Sequence, residues 1–191
     1  MTNIILYFHG FKSSSESGKA QEFKKFIENK TSKTKIIIPD LKDDFKEAHK
    51  QIESLIDKNS QNILYMGSSL GGYYALYFAQ LYKTKSVLIN PAIPPLKDFE
   101  IHLGKNENYA TGNKFTISKD DISYVRSLHY KKILEPKNNL ILLESGDEIL
   151  NYVETSSYFR GSYIDIFYGG NHSYTSIKEK FTKIKDFFNL K

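Results

Sequence analysis

Residues 62–82 read NILYMGSSLGGYYALYFAQLY, and this stretch decides the fold. It begins with a short apolar run that is typical of a buried strand and ends with a segment that has the length and content of a helix. Between the two lies the pattern G-x-S-x-G, with Ser69 at its centre. Gly67 and Gly71 permit a backbone turn that is so tight that it leaves no room for side chains at these two positions. The stretch therefore predicts a strained strand-to-helix turn that raises the Ser69 hydroxyl to the carboxyl end of a sheet.

Short apolar runs alternate with amphipathic stretches along most of the chain. The runs predicted to be strands are residues 4–8, 35–38, 62–66, 86–89, 140–143 and 163–167. The stretches predicted to be helices are residues 19–29, 45–56, 70–82, 119–134, 148–158 and 175–188. Apolar strands that alternate with helices form parallel sheets covered on both faces. The sequence thus predicts a three-layer α/β fold with a mainly parallel sheet of about six strands.

Residues 94–139 interrupt this alternation. The segment contains loop signals at residues 104–108 and 111–113, where glycine and asparagine cluster. It is also too polar to build a core of its own. We therefore expect one domain over residues 1–191, with residues 94–139 inserted as a short cap over the sheet edge.

Composition excludes several classes of protein. Hydrophobic residues make up 40% of the chain and charged residues 26%, which is typical of a globular protein. The net charge is +5, but lysines are scattered and arginine occurs only at Arg126 and Arg160, so we expect no nucleic-acid partner. Cysteine is absent, which excludes disulfides and fits a reducing compartment. Without an export signal or a membrane-length apolar run, a soluble cytoplasmic protein is expected.

A histidine and an acid follow the last two predicted strands. His172 lies in Gly169-Gly170-Asn171-His172-Ser173, and a base at this point activates a serine hydroxyl. Asp147 follows the preceding strand and is placed to orient the imidazole. Glu148 is its local rival, and Asp165 is a weaker choice within a strand. The chain order Ser69, Asp147, His172 differs from the orders of chymotrypsin and subtilisin.

Each of these residues also has a plain structural interpretation. The glycine-rich turn around Ser69 could serve only tight packing or bind phosphate, although it lacks the lysine of a P-loop. Asp147 could simply cap the next helix. A histidine in a loop is often just exposed to solvent. The argument for catalysis depends on finding all three groups in this order at strand ends.

Two backbone N–H groups are predicted to stabilise an oxyanion, those of Leu70 and Phe11. Leu70 directly follows the candidate nucleophile, and Phe11 lies in the loop after the first strand. His9 in that loop is interpreted as a structural residue in preference to a second catalytic histidine. The aromatic residues suggested for an acyl pocket, with core packing as the default interpretation, are Tyr109, Tyr152 and Tyr174.

No metal or cofactor is expected. The remaining histidines, His49, His102 and His129, are far apart in the sequence and show no ligand spacing. The glycine spacing at Ser69 does not match a dinucleotide-binding fingerprint.

Several segments together resemble the YqiA-like esterases, small bacterial proteins of the α/β-hydrolase superfamily also classed as UPF0227. The resemblance covers nearly the whole chain. Its segments are residues 6–11 with 13–14, residues 67–73, residues 90–92, residues 103–108, residues 146–152 and residues 169–173. It implies an α/β-hydrolase fold, a triad of Ser69, Asp147 and His172, and esterase activity on short acyl esters without a cofactor.

The sequence thus predicts a serine hydrolase that cleaves carboxylic esters through an acyl-enzyme. Two alternatives stay open at this point. The same three groups suit a thioesterase or an amidase, because the residues do not distinguish among leaving groups. A non-catalytic binding protein with this fold is the other alternative.

Overall fold

The computed structural model describes residues 2–59 and 62–191 and centres on a six-stranded sheet. The strands are β1 (Asn3–Phe8), β2 (Thr34–Ile37), β3 (Ile63–Ser68), β4 (Ser86–Ile89), β5 (Gly104–Glu107), β6 (Lys114–Ile117), β7 (Asn139–Glu144) and β8 (Tyr163–Phe167). The α-helices are α1 (Gly18–Lys30), α2 (Phe45–Lys58), α3 (Leu70–Leu81), α4 (Lys119–Ser127), α5 (Tyr152–Tyr158) and α6 (Ile177–Phe187). The main sheet has the order β2-β1-β3-β4-β7-β8, and all its neighbouring strands are parallel.

Side chains of the sheet alternate between two apolar layers. Leu6 and Phe8 point into a cluster with residues of α2 and α3, whereas Ile5 and Tyr7 point into a second cluster with residues of α1 and α6. Successive residues of a strand face opposite sides, so a strand buried on both faces must be apolar throughout. The predicted three-layer fold, with helices on both faces of a parallel sheet, is confirmed.

The segment from 94 to 139 is more ordered than its sequence suggests. Residues 104–108 were expected to be a loop, and this expectation is wrong for most of them. Gly104–Glu107 pairs antiparallel with Lys114–Ile117 as the hairpin β5-β6. Asn106 supports the first strand, because its side chain donates to the carbonyl oxygens of His102 and Gly104 at 2.7 and 2.9 Å. Pairing with the neighbouring strand and the hydrogen bonds of the Asn106 amide outweigh a weak strand propensity here.

Three predicted helices extend at least two residues beyond one end of the observed ones. The helix expected over residues 119–134 ends at Ser127, whose hydroxyl donates to a carbonyl of the last turn, as does the ring of His129. The helix expected from residue 148 begins at Tyr152, because the Asn151 side chain accepts the N–H groups of its first turn. The last helix begins at Ile177 instead of residue 175.

Apolar residues of the inserted segment join the core of the main body. Ile117, Ile122, Val125 and Leu128 belong to the same buried cluster as the α2 and α3 residues. The insertion therefore covers the helical layer on that face of the sheet.

Among residues 2–59 and 62–191, no helix is both long and apolar enough to cross a bilayer.

Candidate active site

The turn around Ser69 has the strained geometry of a nucleophile elbow. Ser69 has φ 54° and ψ −124°, which lies outside the regions that L-residues ordinarily occupy. A Cβ atom on Gly67 would collide with the backbone of Gly71, and one on Gly71 would collide with the carbonyl of Phe8. A Cβ atom on Gly72 would lie 2.9 Å from Pro91 Cβ. Glycine is therefore required on both sides of the serine.

His172 lies between the Ser69 hydroxyl and a carboxylate. Its Nε2 is 3.0 Å from Ser69 Oγ, and its Nδ1 is 2.8 and 3.0 Å from the two carboxylate oxygens of Asp147. A carboxylate only accepts hydrogen bonds, so Nδ1 carries the proton and Nε2 is left to accept one from the hydroxyl. The Asp147 side chain is 2% exposed and that of His172 17%. This arrangement can remove a proton from Ser69 as the hydroxyl attacks.

The three acids that the sequence offered have different partners. Asp147 contacts the imidazole, and it also accepts the N–H groups of Ile149 and Leu150 at 2.9 and 2.8 Å, which shapes the turn before α5. Glu148 accepts the backbone N–H of His172 at 2.9 Å, and this bond lowers the pKa of the Glu148 carboxyl. Asp165 pairs with two lysines of α6. The ring is therefore oriented by Asp147.

Glu144 is a buried carboxylate at the end of β7 that the sequence analysis did not single out. It is 0% exposed, and it accepts the backbone N–H groups of Asn171, Thr175 and Ser176 at 2.7, 3.2 and 2.8 Å. These three bonds hold the loop that carries His172. A charged residue at the end of the apolar run 140–143 was the signal that could have identified it.

Asn90 was also missed, and it links β4 to the same loop. Its amide nitrogen donates to the carbonyls of Asn171 and His172 at 3.1 and 3.3 Å, while its oxygen accepts the N–H of Glu144 at 2.9 Å. Like Ser69, it directly follows a strand, so a search for polar residues at the ends of predicted strands would have included it.

The two predicted oxyanion donors belong to residues that border one small cavity. Phe11 and Leu70 line this cavity of about 20 Å³, together with apolar residues of α2 and α3. A Cβ atom on Gly10 would lie 3.4 Å from Ser69 Cβ, so the loop after β1 is packed against the serine. Within residues 2–59 and 62–191, neither the Phe11 nor the Leu70 N–H donates to another group of the chain.

His9 fixes the loop that contains Phe11. Its Nε2 accepts the backbone N–H of Leu41 at 3.0 Å, and its Nδ1 lies 2.9 Å from the carbonyl oxygen of Gly10. The first contact requires an unprotonated Nε2 and the second a protonated Nδ1, so the ring is neutral. Burial lowers the pKa of His9 and favours this form. Its contacts are those of a structural residue.

The three tyrosines suggested for an acyl pocket lie in different surroundings. Tyr109 is 83% exposed, and Lys12 Nζ lies 5.1 Å from its ring and 5.2 Å from that of Phe11. Tyr152 is partly buried against the cluster on the α2 and α3 face. Tyr174 is 1% exposed and packs in the cluster beneath the opposite face of the sheet, which leaves it no surface for a substrate.

Within the part of the chain that the structure describes, no group of three or more acidic, histidine or cysteine side chains is arranged to hold a metal ion.

A parallel sheet in this order, with a serine on a strained turn after its third strand, defines an α/β-hydrolase fold. The chain belongs to the uncharacterised protein family UPF0227, whose model matches residues 4–189. The family and the fold predicted from the sequence are therefore confirmed.

Solved structures share this fold at low sequence identity. Est1E from Butyrivibrio proteoclasticus is 17% identical with a TM-score of 0.71, over 98% of this chain and 87% of that one. Alpha/beta hydrolase domain-containing protein 10 from mouse is 18% identical with a TM-score of 0.72, over 99% and 90%. A monoacylglycerol lipase from Paleococcus ferrophilus is 16% identical with a TM-score of 0.65, over 98% and 95%.

Proposed function

We propose that this protein is a serine esterase that hydrolyses short-acyl carboxylic esters. The observation that carries the proposal is the continuous hydrogen-bonded path from Ser69 Oγ through His172 to Asp147, with steps of 3.0 and 2.8 Å. A merely structural serine on so strained a turn would have no need of a buried acid behind its histidine. The fold shared with a monoacylglycerol lipase supports the same reaction class.

The proposed reaction has two acyl-transfer steps. Ser69 Oγ attacks the ester carbonyl carbon while His172 Nε2 takes the hydroxyl proton. The tetrahedral intermediate then collapses, and Nε2 gives this proton to the departing alkoxide, which leaves as an alcohol. Water repeats the sequence on the acyl-serine and releases the carboxylic acid. The imidazolium that forms in each step is stabilised by Asp147.

The N–H groups of Leu70 and Phe11 are the proposed donors to the oxyanion, and each such donor typically lowers the barrier by about 3 kcal/mol. Both residues border the cavity of about 20 Å³, which has room for about one water molecule. The preference for short acyl groups is proposed from the resemblance to YqiA-like esterases. Tyr109, whose ring contacts the same Lys12 ammonium group as that of Phe11, is the proposed substrate contact, with Tyr152 a second candidate. A small-molecule ester is thus the proposed partner, and the cysteine-free sequence supports a cytoplasmic location.

Replacing Ser69 by alanine tests the proposal. We expect wild-type protein to hydrolyse p-nitrophenyl butyrate and to react with a fluorophosphonate probe, and S69A to lose about 10⁴-fold or more of kcat/KM and all labelling. Ser54→Ala, at an exposed position on α2, is the matched control and keeps both activities. Wild-type protein that takes no label, or an S69A variant that hydrolyses the ester normally, contradicts the assignment. Matched thioester and amide substrates identify the preferred leaving group.

A further inference from the structure

A lysine of α1, on the face of the sheet opposite to α3, reaches the candidate active site. Lys19 lies in the first turn of α1, and its Nζ donates to Ser68 Oγ and to the carbonyl oxygen of Ser173, both at 2.8 Å. Ser68 precedes the candidate nucleophile, and Ser173 follows the candidate base. One ammonium group therefore contacts the neighbours of both reacting residues without contacting either reacting atom.

These two contacts connect parts of the chain that the sheet keeps apart. Ser68 ends β3, whereas the histidine loop follows β8, and β4 and β7 lie between these strands. Asn90 already supports the histidine loop from β4 through the carbonyls of Asn171 and His172. Lys19 adds a direct link between that loop and the nucleophile turn, from the α1 side of the sheet.

Burial and nearby charges act in opposite directions on Lys19. Burial lowers the pKa of Lys19 to about 8, although Glu144 from β7 and Asp147 from the next loop attract its ammonium form. His172 and Glu148 are further titratable groups at this edge; the ring of His172 is bonded to Asp147, and Glu148 accepts the backbone N–H of His172. On its own helix, the nearby Glu22 is paired with Lys178 of α6 at 3.0 Å. Lys19 is thus charged at neutral pH and loses its proton in mildly alkaline solution.

We propose that Lys19 is a positioning residue that holds the nucleophile turn and the histidine loop at the separation that the Ser69–His172 hydrogen bond requires. This inference rests on the proposed esterase function. A hydroxyl and a base must be aligned to within a fraction of an ångström for proton transfer, and small displacements cost large factors in rate. Hydrogen bonds from a charged donor are about twice as strong as neutral ones, which suits such a link.

The test compares Lys19→Met with Lys25→Met, a matched control at an exposed position of the same helix. For K19M we expect kcat on p-nitrophenyl butyrate to fall about 10- to 100-fold with KM within about twofold of wild type, because alignment and not ester binding is lost. The rate of fluorophosphonate labelling of Ser69 falls by a similar factor. K25M keeps wild-type values of all three quantities.

The pH profile separates this role from general stabilisation. As the pH rises through about 8, Lys19 loses its charge and we expect the wild-type kcat to decline. Arginine does not lose its proton in this range. We therefore expect Lys19→Arg to be more active than K19M and to keep its kcat to a higher pH than wild type does. K19M lacks the alkaline decline. Thermal unfolding shows whether each variant is folded. If K19M is not folded, the pH profiles of kcat for wild type and K19R test the positioning role without it.

The outcomes that contradict the inference differ from those that contradict the esterase proposal. If wild-type protein is active and labelled but K19M retains at least half of its kcat, Lys19 has no positioning role. An alkaline decline that is identical in wild type and K19R also overturns the inference. If wild-type protein neither hydrolyses esters nor takes the label, the proposed function itself is wrong.

Discussion

Three acids lie at or just after the end of β7, and each carboxylate accepts hydrogen bonds from a different group of donors. Glu144 accepts backbone N–H groups of the histidine loop, Asp147 accepts the ring Nδ1–H of His172, and Glu148 accepts the backbone N–H of the same histidine. Only the contact of Asp147 fixes the tautomer of the ring. Carboxylates four residues apart or closer are therefore expected to differ strongly in their effect on catalysis.

Amide substitutions of Asp147 and Glu148 test this difference. In Asp147→Asn the amide nitrogen cannot accept the Nδ1 proton, so the ring can adopt the tautomer that presents a proton to Ser69. We expect a fall in kcat of about 10³- to 10⁴-fold. In Glu148→Gln an amide oxygen still accepts the N–H of His172, and we expect a loss below about tenfold. Steady-state hydrolysis of p-nitrophenyl butyrate measures both values.

The reverse order of effects, with Glu148→Gln the more damaging change, would show that the ring is oriented in another way during turnover. Thermal unfolding of the two variants serves as the control, since both acids also accept backbone N–H groups. A large loss of activity without a matching loss of stability identifies the contact with the ring as its cause.

The sequence could predict Ser69, Asp147 and His172 because each follows a strand, and the carboxyl ends of parallel strands converge at one edge. Their side chains are within hydrogen-bond distance in the structure; their role in catalysis stays a prediction. Lys19 could not be assigned in this way. Lys19 meets Ser68 across 49 residues of sequence, and only the packing of α1 beneath the sheet brings it there.

At the scale of the element, the turn between β3 and α3 combines strain with close backbone packing. The carbonyls of Phe8 and His9 approach Gly71 so closely that a methyl group there would overlap them. Backbone at the centre of a parallel sheet cannot move aside as a flexible side chain does. The glycine therefore fixes the distance between the nucleophile turn and the loop that carries the proposed oxyanion donor.

Gly71→Ala is expected to destabilise the protein by about 1–3 kcal/mol, as overpacking of a well-packed interior does, and to lower kcat through displacement of the β1 loop. Gly18→Ala is the matched control at the start of α1, where a Cβ atom meets nothing within 4 Å. It should be neutral or slightly stabilising, because alanine favours helix more than glycine does. Urea denaturation measures both changes. Equal stabilities of the two variants would contradict the close packing at Gly71.

The elements that the sequence predicted well are those whose pattern reflects burial. Strands 86–89 and 163–167 were predicted with their observed bounds, because apolar runs end where the buried sheet ends. The hairpin β5-β6 was missed, since it is polar and half exposed, so its strands show no strong periodicity. The start of α5 was misjudged because the side chain of Asn151 caps the helix there, three residues after the predicted start.

At the scale of the whole molecule, the inserted segment 94–139 shares the core of the main body. Its buried residues Ile122 and Val125 are 3% and 0% exposed and pack in the cluster formed with α2 and α3. Polar contacts reinforce this attachment, because Tyr124 of α4 is hydrogen-bonded to His49 of α2 at 2.8 Å. A segment held in this way should unfold together with the sheet, as the expected single domain over residues 1–191 requires.

Ile122→Ala tests whether the insertion and the sheet form one cooperative unit. Removing a buried isoleucine side chain typically costs about 2–5 kcal/mol, so we expect a lower melting temperature for the entire protein. Each kcal/mol lowers Tm by roughly 2–4 °C in a chain of this size. Ile101→Ala, in the same segment but 77% exposed, is the matched control and changes stability by less than about 0.5 kcal/mol.

Far-UV circular dichroism and tyrosine fluorescence of Ile122→Ala should report one shared transition, because loss of the cap exposes the α2 and α3 face on which the sheet depends. An early transition that moves with Ile122→Ala, followed by a second one that does not, would instead show that the cap folds and unfolds by itself. In that case the rings of Phe99 and Phe115, which pack on that of Phe11, could move away from the candidate site without unfolding of the sheet.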